Sequence, residues 1–387
     1  MSQAEQLTRS ARRRNLVAAC AAIVVFGFAM GQMFPLLSLL LERQGYGDDV
    51  IGLNAGMSPM GILVFSSFIP LAARRFGARA AAMAAALATA MILVGYKLLP
   101  SIEAWFVLRF IQGMTVSTLF VLSESWIVTF AEEGSRGRVV AIYAAALSAS
   151  FGLGPLLIGL IGIDGWLPFV IGMGVLVAAM VPLAMVREPP QPEQAPGAAS
   201  SLVAFARKAP MLLASVGMFA IFDAATLSLI PVYGVRLGLD VKTAAYGLSV
   251  LVMGNIVLQF PIGWLADRFD KRTVMAGLAL ATALLCLVLP AAMGNLSMWP
   301  VLFVAGATGY GMYTVALAAL GERFCGRELV QGSAAFATMW GSGALIGSVV
   351  GGAMMDRFGP HGLPLSLAAV LGLFVAGSLV RMRMLRP

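Results

Sequence analysis

The chain has 387 residues, 60% hydrophobic and 11% charged, with a mean hydropathy of +0.90. Soluble domains carry about 25% charged residues, so a water-solvated globular body is excluded. The net charge of +8 does not point to nucleic acid, because the basic residues cluster between long apolar runs, as in loops that face anionic lipid headgroups.

A helix needs about 20 apolar residues to cross the ~30 Å hydrocarbon core. In chain order, twelve such spans are expected at 15–41, 50–72, 80–99, 104–130, 138–162, 166–186, 210–234, 243–265, 273–291, 298–320, 332–355 and 363–380. Their apolar runs are continuous rather than alternating, which favours helices over barrel strands. The first follows Arg9, Arg12, Arg13 and Arg14 like the core of a signal peptide. It runs on to Leu41, however, and no A-x-A site follows, so it reads as a membrane span. The stretch REPPQPEQAPGAASSLVAFARK at 187–208 has the composition of a flexible linker. The expected organisation is an N-terminal six-helix half (1–186), a cytoplasmic linker (187–208) and a C-terminal six-helix half (209–387). Most lysines and arginines fall on one side, with Arg43, Lys97, Arg236, Lys242 and Arg357 on the other. The positive-inside rule then places both termini in the cytoplasm, and the expected location is a bacterial inner membrane.

The chain repeats itself at an offset of 193 residues. The segment Ala73–Arg79 aligns with Ala266–Arg272, Arg43, Gly45 and Gly61 with Arg236, Gly238 and Gly254, and Gly154 and Gly159 with Gly347 and Gly352. Repeated halves are the ground plan of many transporters, whose substrate site lies between the repeats near the bilayer midplane.

Local motifs carry a family resemblance. The junction GWLADRFDKR, with Gly263, Asp267, Arg268, Lys271 and Arg272, resembles the loop signature of the major facilitator superfamily. Arg109, Gln112 and Gly113 are similar to that superfamily's R-x-x-Q-G motif, and Gly154, Pro155 and Gly159 to its fifth-helix motif. In the N-terminal half Pro70 and Arg74 replace the signature Gly and Asp, and Ser123-Glu124-Ser125-Trp126 ends the fourth span, resembling a bacterial branch of the superfamily. The resemblance implies an all-α integral membrane fold, twelve helices in two six-helix repeats, with spans one, four, seven and ten lining a cavity. Conformational gating is expected at Asp267, Arg268, Arg272, Arg75, Glu124, Glu322, Gly154 and Pro155. Glu124 is expected to pair with Arg74, Arg75 or Arg79, and Glu322 with Arg268 or Arg272.

Polar residues inside spans are costly in lipid and face the bundle interior or a wet cavity. They include Gln32, Arg109, Gln112, Asp223, Asn255 and Gln259. Asp223 is the only acid near the middle of a span, on one helical face with Phe219, Thr226 and Ile230. A carboxyl there is suited to taking up and releasing a proton, or to a structural role. Arg109 is suited to an anionic substrate group, to pairing with Asp223, to a gate, or to snorkelling. Tyr310, Tyr313, Phe222 and Trp340 suit either stacking on a planar substrate or core packing.

Cys20, Cys286 and Cys325 lie far apart, His361 is the sole histidine, and neither a Walker motif nor a nucleophile triad occurs. A cofactor, a metal site, an enzymatic activity and a nucleic-acid partner are therefore not expected. The reading is a secondary transporter, monomeric, with a small organic solute, protons and membrane lipids as partners. A drug-like compound, a metabolite or a planar vitamin such as a flavin fits the site. The alternative is a transporter-like sensor or lipid-handling protein without solute flux.

Overall fold

A computed structural model describes residues 9–130, 136–186 and 198–384. Lipid supplies no water to the backbone, so each apolar segment must satisfy its own N–H and C=O groups, and a helix does this. The helices are α1 (Arg9–Arg43), α2 (Asp48–Phe65), α3 (Ile69–Phe76), α4 (Ala78–Leu98), α5 (Ile102–Phe130), α6 (Arg136–Ile161) and α7 (Leu167–Ala184). They continue with α8 (Ala198–Lys208), α9 (Pro210–Arg236), α10 (Val241–Arg268), α11 (Lys271–Ala292), α12 (Met298–Arg323), α13 (Gly326–Phe358) and α14 (Gly362–Met384). Among the described residues, twelve segments are long and apolar enough to cross a membrane, and each overlaps one expected span.

Two local features differ from the sequence reading. The second span is broken into α2 and α3. Pro70 has no N–H to return to the Ser66 carbonyl, which instead accepts from Ile69 N in a single 3-10 turn, Ser66–Phe68. The expected flexible linker also contains a helix, α8, whose Phe205 is wholly buried. Phe205 packs against Phe324 and Phe336 with centroids 5.1 and 6.1 Å away. Linker residues 187–197 lie outside the described residues.

The chain folds into two compact units. The first comprises Met1–Met33 and Met60–Gln194. Here Gly27 and Gly31 of α1 press on Leu147, Ser150 and Phe151 of α6, while Gly154 of α6 meets the Gly31 carbonyl and the Gln32 amide. A side chain at any of these glycines would collide with the neighbouring helix, so small residues set the close approach. The second unit comprises Phe34–Pro59 and Ala195–Pro387. Within it α9 packs mainly on α13, α10 on α12, and α11 on α12 and α14. The hairpin at 34–59 docks here: Gly52 meets Gly352 and the Ser348 carbonyl. Arg236 lies 3.3 Å from Asp48, 3.9 Å from Glu42 and 3.2 Å from the Tyr46 carbonyl.

The 193-residue repeat holds at atomic detail. Gly61 presses on the Phe110 carbonyl, and Gly254 presses on the Phe303 carbonyl. Thr89 donates to Thr115 at 2.9 Å and to Ala85 O; Thr282 donates to Thr308 at 2.9 Å and to Leu278 O. The turns at Gly45 and Gly238 share a left-handed backbone, with φ 85° and 87°. Each partner differs from its counterpart by the same offset, so the repeat is structural and not a coincidence of glycine-rich composition.

Candidate functional site

Asp223 sits midway along α9, 4% exposed. Its Oδ2 accepts a hydrogen bond from Trp340 Nε1 of α13 at 3.2 Å. The Tyr310 hydroxyl of α12 lies beside the Asp223 carboxyl and the Thr226 hydroxyl. Thr226 in turn donates to the Phe222 and Asp223 carbonyls at 2.8 and 3.0 Å. Polar side chains from two other helices thus face one buried acid.

Aromatic rings enclose this group. Phe219 lies 4.8 Å from Tyr313 and 5.8 Å from Tyr310, centroid to centroid, and Phe222 meets Tyr310 edge-on at 5.9 Å. Gly309 makes the last contact possible, since a Cβ there would penetrate the Phe222 ring. Tyr310, Tyr313 and Trp340 are half-buried, whereas Phe222 is fully enclosed. The four expected aromatics therefore come together, with three presenting partly open faces and one serving as packing. Phe219, named from sequence only as sharing a face with Asp223, completes the ring set. Phe222, Thr226, Leu251, Cys286, Leu289 and Leu302 line a narrow apolar cleft of about 10 Å³.

The first unit carries a different polar group. Tyr96 of α4 donates its hydroxyl to Gln112 Oε1 at 2.9 Å, and the Trp105 indole donates to the Tyr96 and Leu99 carbonyls at 3.2 and 3.0 Å. Arg109 lies beside Tyr96 and is 1% exposed, so its guanidinium is enclosed by protein rather than snorkelling. Under the 193-residue offset Tyr96, Arg109 and Gln112 correspond to Leu289, Leu302 and Ala305, all of which line the apolar cleft. One place in the repeat is thus polar in the first unit and apolar in the second. Gln32, fully buried, donates to the Pro168 carbonyl at 2.7 Å. Asn255 is half-buried and Gln259 exposed; among the described residues no hydrogen bond joins either to Asp223.

The expected gating pairs form differently. Glu322 pairs with Lys271 at 2.7 Å and not with Arg268 or Arg272. Arg268 instead stacks over the Trp264 ring at 4.2 Å, a contact available because position 264 precedes it by one helical turn. Among the described residues Glu124 makes no ion pair with Arg74, Arg75 or Arg79; its neighbour Ser123 shares a 2.9 Å hydrogen bond with Tyr143 of α6. Arg75 lies near the Phe76 ring. Asp267 is exposed and Arg272 half-buried. Gly154 and Pro155 are buried, and Gly154 faces α1. The Arg236 network with Asp48 and Glu42 was not expected; Asp48-Asp49 at a helix start and an arginine on the sparsely basic side were its only signals.

The Major Facilitator Superfamily profile matches residues 17–348 and 248–387. The MFS-type transporter YfkF of Bacillus subtilis (strain 168), itself uncharacterised, is 25% identical over 342 residues, covering 87% of each chain. The uncharacterised MFS-type transporter YcaD of Salmonella typhimurium (strain LT2) is 26% identical over 360 residues, covering 92% of this chain and 93% of that one. The crystal structure of the nucleoside transporter NupG superposes with a TM-score of 0.73 at 14% identity, covering 96% of this chain and 98% of NupG. That of a D-xylose-proton symporter gives 0.71 at 16%, covering 95% and 96%. Both share this fold.

Proposed function

Because the chain belongs to the major facilitator superfamily, we propose that it is a secondary transporter that moves a small organic solute across the bacterial inner membrane, linked to protons through Asp223. The observation that carries this reading is the buried carboxyl that accepts a hydrogen bond from Trp340 and lies beside Tyr310. A charged side chain at mid-span is unfavourable by about 2.5–3.5 kcal/mol on insertion scales. Retaining one there is readily explained if it exchanges a proton as water reaches it from alternate sides. The half-buried rings of Tyr310, Tyr313 and Trp340 favour a flat, ring-bearing solute. Sugar- and nucleoside-sized solutes fall within what the fold serves in its structural neighbours. Alternating access would come from movement of the two repeats about one site, with Gly154-Pro155 and the Asp267–Arg272 loop as gating elements. The distribution of arginines supports cytoplasmic termini.

The test is flux in proteoliposomes, using a solute found by thermal-shift screening of the purified protein. Asp223→Asn is expected to abolish accumulation driven by a pH gradient while solute exchange at equal pH persists. Gradient-driven accumulation at the wild-type rate in this variant would remove Asp223 from the coupling step.

A further inference from the structure

Away from Asp223, the first unit has a cavity of about 190 Å³ between the start of α1 and the end of α7, lined by Arg13, Arg14, Val17, Pro182 and Met185. That is several times the ~30 Å³ share of one liquid water. Two guanidinium-bearing residues stand at the point where α1 passes from its basic start into its apolar run. Neither makes an ion pair among the described residues, and Arg14 Nε is shielded from solvent with no hydrogen-bond acceptor among them. Two like charges meeting at a cavity repel unless an anion lies between them. The remaining wall is apolar, and it continues outward through side chains exposed on the surface: Val17 at 52% and Met185 at 54%. A site lined by two arginines and by exposed apolar side chains matches an amphiphile.

We propose that this cavity binds the phosphate of an anionic phospholipid, with Arg13 and Arg14 on the phosphate oxygens and the acyl chain along Val17 and Met185. Guanidinium groups match phosphate through paired N–H donors, and basic pockets between membrane helices are suited to lipid headgroups. The bound lipid ties the entry of α1 to the exit of α7 and stabilises the first unit. A free phosphate would use the same arginines but gain nothing from the apolar strip.

Native mass spectrometry and melting curves of the detergent-purified full chain test this with phosphatidylglycerol, phosphatidylcholine and inorganic phosphate as probes. Phosphatidylglycerol is expected to remain bound and to raise the melting temperature, with at least tenfold lower retention of phosphatidylcholine. Arg13→Gln with Arg14→Gln should cut phosphatidylglycerol retention about tenfold, whereas Arg207→Gln with Arg381→Gln should leave it unchanged. Val17→Trp, which fills the cavity and keeps both charges, should lose the lipid too; it decides the matter if the double glutamine variant does not fold. Equal retention of the two lipids, unchanged retention in either cavity variant, or equal stabilisation by inorganic phosphate would overturn the proposal.

Discussion

At the scale of single residues, two opposing magnitudes decide what a glycine does. Adding a methyl group in a helix gains about 1 kcal/mol in propensity, while forcing one into a packed contact costs about 1–3 kcal/mol. At Gly61 and Gly254 the added carbon would strike a rigid backbone carbonyl, that of Phe110 or Phe303, so the second effect wins. Gly61→Ala and Gly254→Ala should each lower the melting temperature in detergent. Gly277→Ala, where nothing lies within 4 Å, should raise it or leave it unchanged. A charged cap behaves differently. Asp240 accepts from the Thr243 amide at 3.1 Å, and hydrogen bonding to Thr243 holds its carboxyl below the usual carboxylate range. A lowered value means the cap contributes fully above the unfolded carboxylate value of about 3.9 and fades as pH falls through the lower, folded one. Amide exchange at Thr243 should accordingly quicken in acid, and Asp240→Ala should quicken it already at neutral pH.

At the scale of elements, α8 is a short helix that depends on one ring. Eleven residues are too few for a stable isolated helix, and the Lys208–Glu328 pair is exposed on both sides, contributing about 0–1 kcal/mol. Phe205, wholly buried against Phe324 and Phe336, supplies the anchor, since truncating such a ring costs about 3–5 kcal/mol. In hydrogen exchange, Phe205→Ala should release α8 and leave α9 and α13 protected, whereas Lys208→Ala should change little. Equal exchange of α8 in the wild type and Phe205→Ala would show that the ring is not its anchor.

At the scale of the whole molecule, twelve spans and a 193-residue repeat were legible because lipid imposes length and apolarity on every crossing segment, and duplication preserves spacing. Pairings of charged side chains were not legible. Arg268 closes α10 while Lys271 and Arg272 open α11, and which of them reaches Glu322 depends on ring stacking at Trp264. The convergence of α9, α12 and α13 on Asp223 was likewise hidden, although the residues were nameable, because helix order in space does not follow from periodicity. The orientation proposed from basic residues has a direct check. Reporters fused after Lys208 or Arg272 should read as cytoplasmic and those near Asp164, Lys242 or His361 as periplasmic; reversal at Lys208 would refute it.

The docking of residues 34–59 onto α9 and α13 also constrains biosynthesis. Gly52 and Gly352 touch but are separated by about 300 residues of chain. At about 5–20 residues per second the ribosome delivers the second glycine on the order of 15–60 s after the first. For that interval the hairpin waits with its small-residue face uncovered, and for the earlier part of it Asp48 and Glu42 also lack Arg236. The contacts between the hairpin and α13 therefore close only after α13 has been made. A nascent chain arrested before Gly326 should show proteolysis in the 44–47 turn that disappears once α13 has been made.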